Sequence, residues 1–77
     1  MADNTLDLRD LPPAKRHPLI FETFDSLESG ETLTIINDHE PAPLYYQMAA
    51  EVDSFDVDRY EVNQLGPEEF VAILPKR

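Results

Sequence analysis

Alternating apolar and polar positions mark two short strands in the first half of the chain. In Thr5–Leu8, Leu6 and Leu8 share one side, and this pattern predicts a strand with one buried face. Thr32–Asn37 is rich in β-branched residues and ends in turn-forming ones, so it predicts a second strand. Apolar residues fall on both faces of this second strand, which favours a central position in a sheet.

A helical period follows each of these strands. Apolar residues at spacings of four and three predict a first helix that opens at His17-Pro18, because proline suits the first helical position. We expect this helix to stop at Gly30, with glycine in the left-handed conformation. A second amphipathic helix is predicted over 43–52, again opening at a proline.

The last third of the chain predicts an antiparallel hairpin. Alternation over Phe55–Val62 and again over Phe70–Leu74 is typical of strands, and Leu65–Glu68 has the composition of a turn. The predicted order is therefore β-α-β-α-β-β. Right-handed crossovers would place both helices on one face of a four-stranded mixed sheet, an α+β two-layer sandwich formed by a single domain over residues 1–77.

The second face of that sheet has no predicted cover. We expect its apolar residues either to be partly exposed or to form a dimer surface, so that the chain is a monomer or a weak homodimer. The residues predicted on this face are Ile36, Tyr60, Val71 and Ile73.

Charge and composition exclude several classes of function. Sixteen acidic against six basic residues give a net charge of −10, which repels nucleic acid phosphates and anionic lipid, so we expect neither partner. Scarce lysine and excess acid are typical of proteins adapted to high salt. Apolar runs are too short for a membrane span or a secretory signal, and the polar start at Met1–Asn4 argues against a transit peptide, so we expect a cytoplasmic protein.

Candidate chemistry collects where the parallel strands end. Ligands of open α/β sheets favour the carboxyl edge of the parallel strands, and two connectors lie there, residues 9–18 and 37–43. We call these two connectors the rim. Both histidines of the chain, His17 and His39, fall on the rim.

Three interpretations of the rim stay open. His17 and His39, with Asp38 or Glu40, could bind a divalent metal, since a helix N-terminus would favour the neutral form of His17. No other cofactor is indicated. Alternatively, two helix N-termini and a basic triplet could bind an anion or small ligand, unless those bases only pair with nearby acids. The triplet is Arg9, Lys15 and Arg16, and the acids are Asp10, Asp38 and Glu40.

The third interpretation is a docking surface for a protein partner, and it is the one we favour. Tyrosine, arginine and histidine are residue types found at interfaces. The expected binding residues are Arg16, His17, Asn37, Asp38, His39, Tyr46 and Gln47. Enzymatic activity is not expected, because the rim has no serine beside a histidine and the chain has no glycine-rich phosphate loop.

Several motifs resemble a known family. Arg16-His17-Pro18 before a helix and Gly30-Glu31-Thr32 before a strand resemble the TusA-like (SirA-like) sulfur-carrier superfamily, which has the same order of elements. The pattern is closer still to the domain of unknown function 2249 family. That likeness also rests on Leu19-Ile20-Phe21, Phe24-Asp25, Asn37-Asp38-His39, Pro41, Pro43, Leu44, Tyr46, Gln47 and Gly66-Pro67.

The resemblance implies a carrier fold whose reactive residue has been replaced. The cysteine position of the superfamily falls on His17, and this chain contains no cysteine, so persulfide carriage is not implied. Members of the closer family often look fused to, or encoded beside, hemerythrin-like and other redox or metal proteins. The likeness therefore favours the docking and metal interpretations.

Overall fold

Residues 4–77 are described by a computed structural model, in which six elements follow one another in the predicted order β-α-β-α-β-β. The argument against a transit peptide rests mostly on the polar residues 1–3, which lie outside the described residues. The elements are β1 (Asn4–Asp7), α1 (Pro13–Asp25), β2 (Thr32–Asn37), α2 (Ala42–Glu51), β3 (Glu61–Gly66) and β4 (Glu69–Pro75).

The four strands form one mixed sheet in the order β1-β2-β4-β3. β1 and β2 are parallel, whereas β4 runs antiparallel to both of its neighbours. β1, β2 and β3 therefore share a direction, and their carboxyl ends meet at one edge of the sheet. The predicted α+β fold with a four-stranded mixed sheet is confirmed.

One face of the sheet carries the hydrophobic core. Leu33 and Ile35 of β2 are fully buried, and so are Ala72 and Leu74, which are their partners in β4. Both helices bury their apolar stripes in the same cluster, so both lie on this face. The buried helical residues are Ile20 and Phe24 of α1 and Leu44 and Met48 of α2.

The opposite face is half-buried. Ile36 and Val71 are register partners there, and Ile73 lies one pair further along β4. The prediction that Tyr60 shares this face is wrong. The Tyr60 ring instead packs against Tyr45 on the core side, with ring centroids 4.5 Å apart.

The first helix begins one turn earlier than predicted. Pro12 adopts the extended conformation that precedes a helix (φ −59°, ψ 142°), and Pro13 takes the first helical position. Pro18 therefore lies inside α1, and it removes the N–H that would have bonded to the Ala14 carbonyl. The early start carries Arg16 from the predicted connector onto the inward face of the helix.

The C-terminal end of α1 also differs from the prediction. The helix ends at Asp25, and Gly30 lies in the turn before β2 with the expected left-handed backbone (φ 92°). Lys76, just after β4, closes the helix: its Nζ donates to the carbonyls of Phe24, Asp25 and Leu27 at 3.1, 3.2 and 2.7 Å. Within residues 4–77, neither helix is long and apolar enough to cross a membrane.

The strand predicted over Phe55–Val62 is replaced by three different structures. Phe55 forms an isolated bridge with Lys76, Val57–Arg59 is a short 3-10 helix, and β3 begins only at Glu61. The Asp56 carboxylate accepts a hydrogen bond from the Asp58 N–H at 3.2 Å. This local bond favours a turn over a strand, because short acidic side chains compete with the sheet for backbone donors.

The hairpin turn is tighter than predicted. Gly66 and Glu69 are paired, so the turn consists of Pro67 and Glu68 alone. The register of β3 shifts between Gln64 and Gly66, and this irregularity leaves Leu65 64% exposed.

Candidate functional site

Arg16 lies at the centre of the rim and is only 6% exposed. Its Nε donates to the Leu11 carbonyl at 2.8 Å, and its Nη2 lies 3.4 Å from the Arg9 carbonyl. Its Nη1 donates to Asn37 Oδ1 at 2.7 Å and to Asp38 Oδ1 at 3.0 Å, and Nη2 reaches Asp38 Oδ2 at 3.3 Å. One guanidinium therefore joins the segment after β1 to the end of β2, as the fixed fork of arginine allows.

Asn37 and Asp38 complete this network. Asn37 is 5% exposed, and its Oδ1 accepts both Arg16 and the Asp38 backbone N–H at 3.0 Å. The Arg16 guanidinium, followed by His39, lowers the pKa of the Asp38 carboxyl from 3.8 to about 2. Asp38 is thus held ionised over the physiological range, and its charge is already matched by Arg16.

The two histidines have different partners. His39 is exposed, and its Nδ1 lies 2.8 Å from Asp38 Oδ1. His17 Nδ1 lies 3.3 Å from Gln47 Oε1 and so links α1 to α2. His17 is the fifth residue of α1, so the expectation that it lies at a helix N-terminus is wrong.

Aromatic side chains continue the surface along α2. The Tyr45 ring packs between Tyr60 and Phe55 at 4.5 and 5.9 Å. Tyr46 leans edge-on against Tyr45 at 5.3 Å but is itself 69% exposed. Burial first, and the negative charge of Glu40 second, raise the pKa of the Tyr60 hydroxyl.

The described residues give the metal interpretation no support. Across residues 4–77, no three or more His, Asp or Glu side chains are grouped so as to hold a metal ion. Both carboxylate oxygens of Asp38, one of the two candidate carboxylate ligands, accept hydrogen bonds from Arg16. The hypothesis of a metal on His17, His39 and Asp38 or Glu40 stays a sequence prediction.

Two of the three bases proposed to bind an anion are engaged inside the protein. Arg16 directs its guanidinium N–H groups to protein acceptors, and Arg9 pairs with Asp7 at 2.8 Å rather than with Asp10. Lys15 is exposed and makes no ion pair with any residue in the range 4–77. Prolines lie at the N-terminal ends of both helices, Pro12 and Pro13 at α1 and Pro41 and Pro43 at α2, and they lack the N–H that an anion would accept from.

A shallow open cavity of about 170 Å³ lies where the hairpin meets the rim, on the face that carries the helices. Glu40, Val62, Gln64 and Phe70 line it. Phe70 is the register partner of both Asn37 and Gln64, so the cavity begins directly beside the Arg16 network.

Comparison with protein families assigns this chain. The sequence model of a family described as Uncharacterized conserved protein (DUF2249) matches residues 5–76, which is nearly the whole chain. The chain belongs to the DUF2249 family. No curated protein and no solved structure matches it.

In this DUF2249 chain the predicted binding residues form two groups rather than one site. Arg16, Asn37, Asp38 and His39 make one hydrogen-bonded group, and His17 with Gln47 makes another between the helices. The neighbours Arg16 and His17 on α1 connect the two groups. Tyr46 belongs to neither group and stands on the exposed side of α2.

Sequence reasoning missed part of this surface in the DUF2249 chain. Val62 and Phe70 are predicted only as strand residues, and Gln64 falls outside both predicted strands, yet the hairpin brings all three to Glu40. The available signal was the strand order, since β3 must end at the same edge as β1 and β2. Arg16 was placed in a connector, although it lies four residues before Ile20 and so continues the apolar stripe.

Proposed function

We propose that this DUF2249 chain is a small non-enzymatic binding module that docks a protein partner through the exposed part of the rim and the adjoining turn of α2. The observation that carries the proposal is the position of Tyr46, a large aromatic side chain left 69% exposed on α2. Tyrosine is enriched at energetically important positions of interfaces, because it buries a large area at low entropic cost.

The Arg16 network supports the proposal by fixing the surface in advance. Five contacts from one buried side chain hold the segment after β1 against Asn37 and Asp38. His39 extends from this fixed group, with its side chain 60% exposed. A preformed surface loses little conformational entropy when a partner binds.

The proposal extends to the TusA-like likeness of the family. The shared order of elements and the His17-Pro18 pair in α1 support descent from a carrier fold. Sulfur carriage requires a thiolate, and this chain contains no cysteine, so we assign the fold to binding alone. The likeness favours a redox or metal protein as the partner, and the acidic, cysteine-free composition suits the cytoplasm.

Affinity capture from an extract of the source cells tests the proposal with a matched pair of variants. Tyr46→Ala removes the exposed aromatic residue of α2, and Leu65→Ala removes a side chain of similar exposure, 64%, at the hairpin. We expect the wild type and Leu65→Ala to recover the same protein, and Tyr46→Ala and His39→Ala to lose most of it.

The same comparison can refute the proposal. Equal recovery by all four proteins, or a loss confined to Leu65→Ala, would remove the rim and α2 from the docking surface. Circular dichroism of each variant confirms that a lost partner reflects a lost contact rather than an unfolded protein.

A further inference from the structure

Two of the residues that line the cavity beside the rim, Glu40 and Gln64, are polar, and both carry side-chain oxygens that accept hydrogen bonds. The Glu40 carboxylate accepts hydrogen bonds and donates none when it is ionised. Gln64 Nε2 donates one of its two hydrogens to the Gly66 carbonyl at 3.0 Å, and Gln64 Oε1 is a further acceptor. A ligand that binds the Glu40 carboxylate and Gln64 Oε1 supplies donors, and a cationic group supplies them with a charge opposite to that of Glu40.

The other two walls of the cavity are apolar. Val62 packs against the hydrophobic core, and Phe70 lies across the sheet from Asn37 and Gln64. The volume of about 170 Å³ is below the ~300 to 1,000 Å³ typical of sites for drug-sized ligands. A single amino-acid side chain, with an aliphatic stem and a polar end, is the occupant that this size and lining fit.

We infer that the cavity binds a lysine or arginine side chain of the protein partner, with the cationic group on Glu40 and Gln64 Oε1 and the aliphatic stem against Val62 and Phe70. This inference rests on the proposed docking function and adds the chemistry of the partner to it. The net charge of −10 favours the same partner, because it steers a basic surface towards this protein. A second copy of this chain is a poor occupant, since it brings the same excess of acid.

Nuclear magnetic resonance with small probes tests the inference without the partner. N-acetyl-lysine methylamide is titrated into isotopically labelled protein, and the blocked norleucine analogue supplies the same stem without the charge. We expect saturable shifts of the Val62, Gln64 and Phe70 amides with the lysine probe. The norleucine probe should bind about fivefold more weakly, and salt near 0.5 M should weaken the lysine probe.

A matched pair of charge variants makes this test specific to the cavity. Glu40→Gln removes the carboxylate of the cavity, whereas Glu61→Gln removes an exposed carboxylate from β3, whose side chain lies on the opposite face from Val62. Both variants change the net charge by the same amount. We expect Glu40→Gln to weaken the lysine probe about threefold and Glu61→Gln to leave it unchanged.

Each remaining outcome overturns the inference. Equal shifts with lysine and norleucine would show an apolar cavity without preference for a cation. Equal weakening by both charge variants would show general attraction to an acidic surface, and absent shifts at the cavity would exclude the site. If capture depends on Tyr46 while Glu40→Gln recovers the partner fully, this inference fails and the docking function stands; if capture is indifferent to Tyr46, the docking function itself fails.

Discussion

The guanidinium of Arg16 and the carboxylate of Asp38 form a two-bonded pair, with Nη1 to Oδ1 at 3.0 Å and Nη2 to Oδ2 at 3.3 Å. The pair joins the second turn of α1 to the connector after β2. Arg16 is nearly fully buried, whereas Asp38 keeps 39% of its side chain exposed. Arg16 thus lies inside the protein, whereas Asp38 is accessible on the rim. Asp38 Oδ1 also contacts His39 Nδ1 there.

Replacing Arg16 tests whether the network holds the rim together. Arg16→Lys keeps the charge but cannot reach Leu11, Asn37 and Asp38 at once, so buried acceptors lose their donor. We expect a loss of about 2 kcal/mol in the free energy of unfolding, measured by urea denaturation. Arg59→Lys, at a 68% exposed side chain, should stay within about 0.5 kcal/mol. Equal effects at the two positions would contradict the network.

Acid should remove the contribution of Asp38 to stability in a defined range of pH. The Arg16 guanidinium lowers the pKa of this carboxyl from 3.8 to about 2 in the folded protein. A lowered pKa stabilises the folded state fully above the unfolded value, and the benefit fades as pH falls through the folded value. We expect Asp38→Asn to be less stable than the wild type at neutral pH, and the difference to shrink between about pH 4 and pH 2.

Asp53→Asn, at an exposed carboxyl, provides the control for that experiment. Its difference from the wild type should be small at neutral pH, and Asp7, which also has a lowered pKa, is present in every protein and cancels. Carbon-13 titration of the Asp38 carboxyl gives the pKa directly. A midpoint near the ordinary value of aspartate would show that Arg16 does not hold it.

Replacing Lys76 tests whether its side chain caps the C-terminal end of α1. Its ammonium donates to three carbonyls at the C-terminal end of the helix, where positive charge is favoured. We expect Lys76→Met to lower the free energy of unfolding by about 1 kcal/mol. Lys15→Met removes the same charge from the first turn of that helix, where a cation is unfavourable, and should be neutral or slightly stabilising. The reverse order of effects would contradict the capping role.

Salt should stabilise this acidic protein. The chain has sixteen acidic and six basic residues, so its excess acidic side chains repel one another in the folded state. Added salt screens that repulsion. We expect the melting temperature to rise with sodium chloride up to about 0.5 M, where the screening length is only a few ångströms. The charge variant Glu61→Gln should melt higher than the wild type at low salt and equally at high salt. A melting temperature indifferent to salt would remove the argument for adaptation to a high-salt habitat.

Periodic segments of the sequence predicted their elements almost to the residue. β2 was expected over Thr32–Asn37 and is found there, and α2 differs from its predicted bounds by one residue at each end. In both segments the apolar pattern, the residue propensities and the flanking turn residues agree. Agreement between independent local signals is what makes a segment predictable from sequence.

Local sequence rules do not fix the first residue of α1, because two prolines are each suited to that position. Pro13 and Pro18 both suit a first helical position, and only the burial of Arg16 decides between them. That burial depends on Asn37 and Asp38, more than 20 positions away. A charged residue on an apolar stripe becomes intelligible only when its distant partners are known.

The region before β3 misled the sequence interpretation for a local reason. Phe55, Val57 and Arg59 alternate with acidic residues in the manner of a strand, but hydrogen bonds of Asp56 favour the short 3-10 helix. The cavity was missed because it forms only where the hairpin brings Val62, Gln64 and Phe70 to Glu40, which the order of the strands determines. Topology did bring the two connectors together, as the Arg16–Asp38 pair shows.

Mapping the partner onto the protein tests the central claim most directly. Once the partner is recovered, it is titrated into labelled protein while the backbone amides are followed by nuclear magnetic resonance. The account predicts the largest shifts over residues 37–47 and at the cavity, with little change at the open-face residues Ile36, Val71 and Ile73. Shifts confined to that open face would contradict the docking surface proposed for this protein.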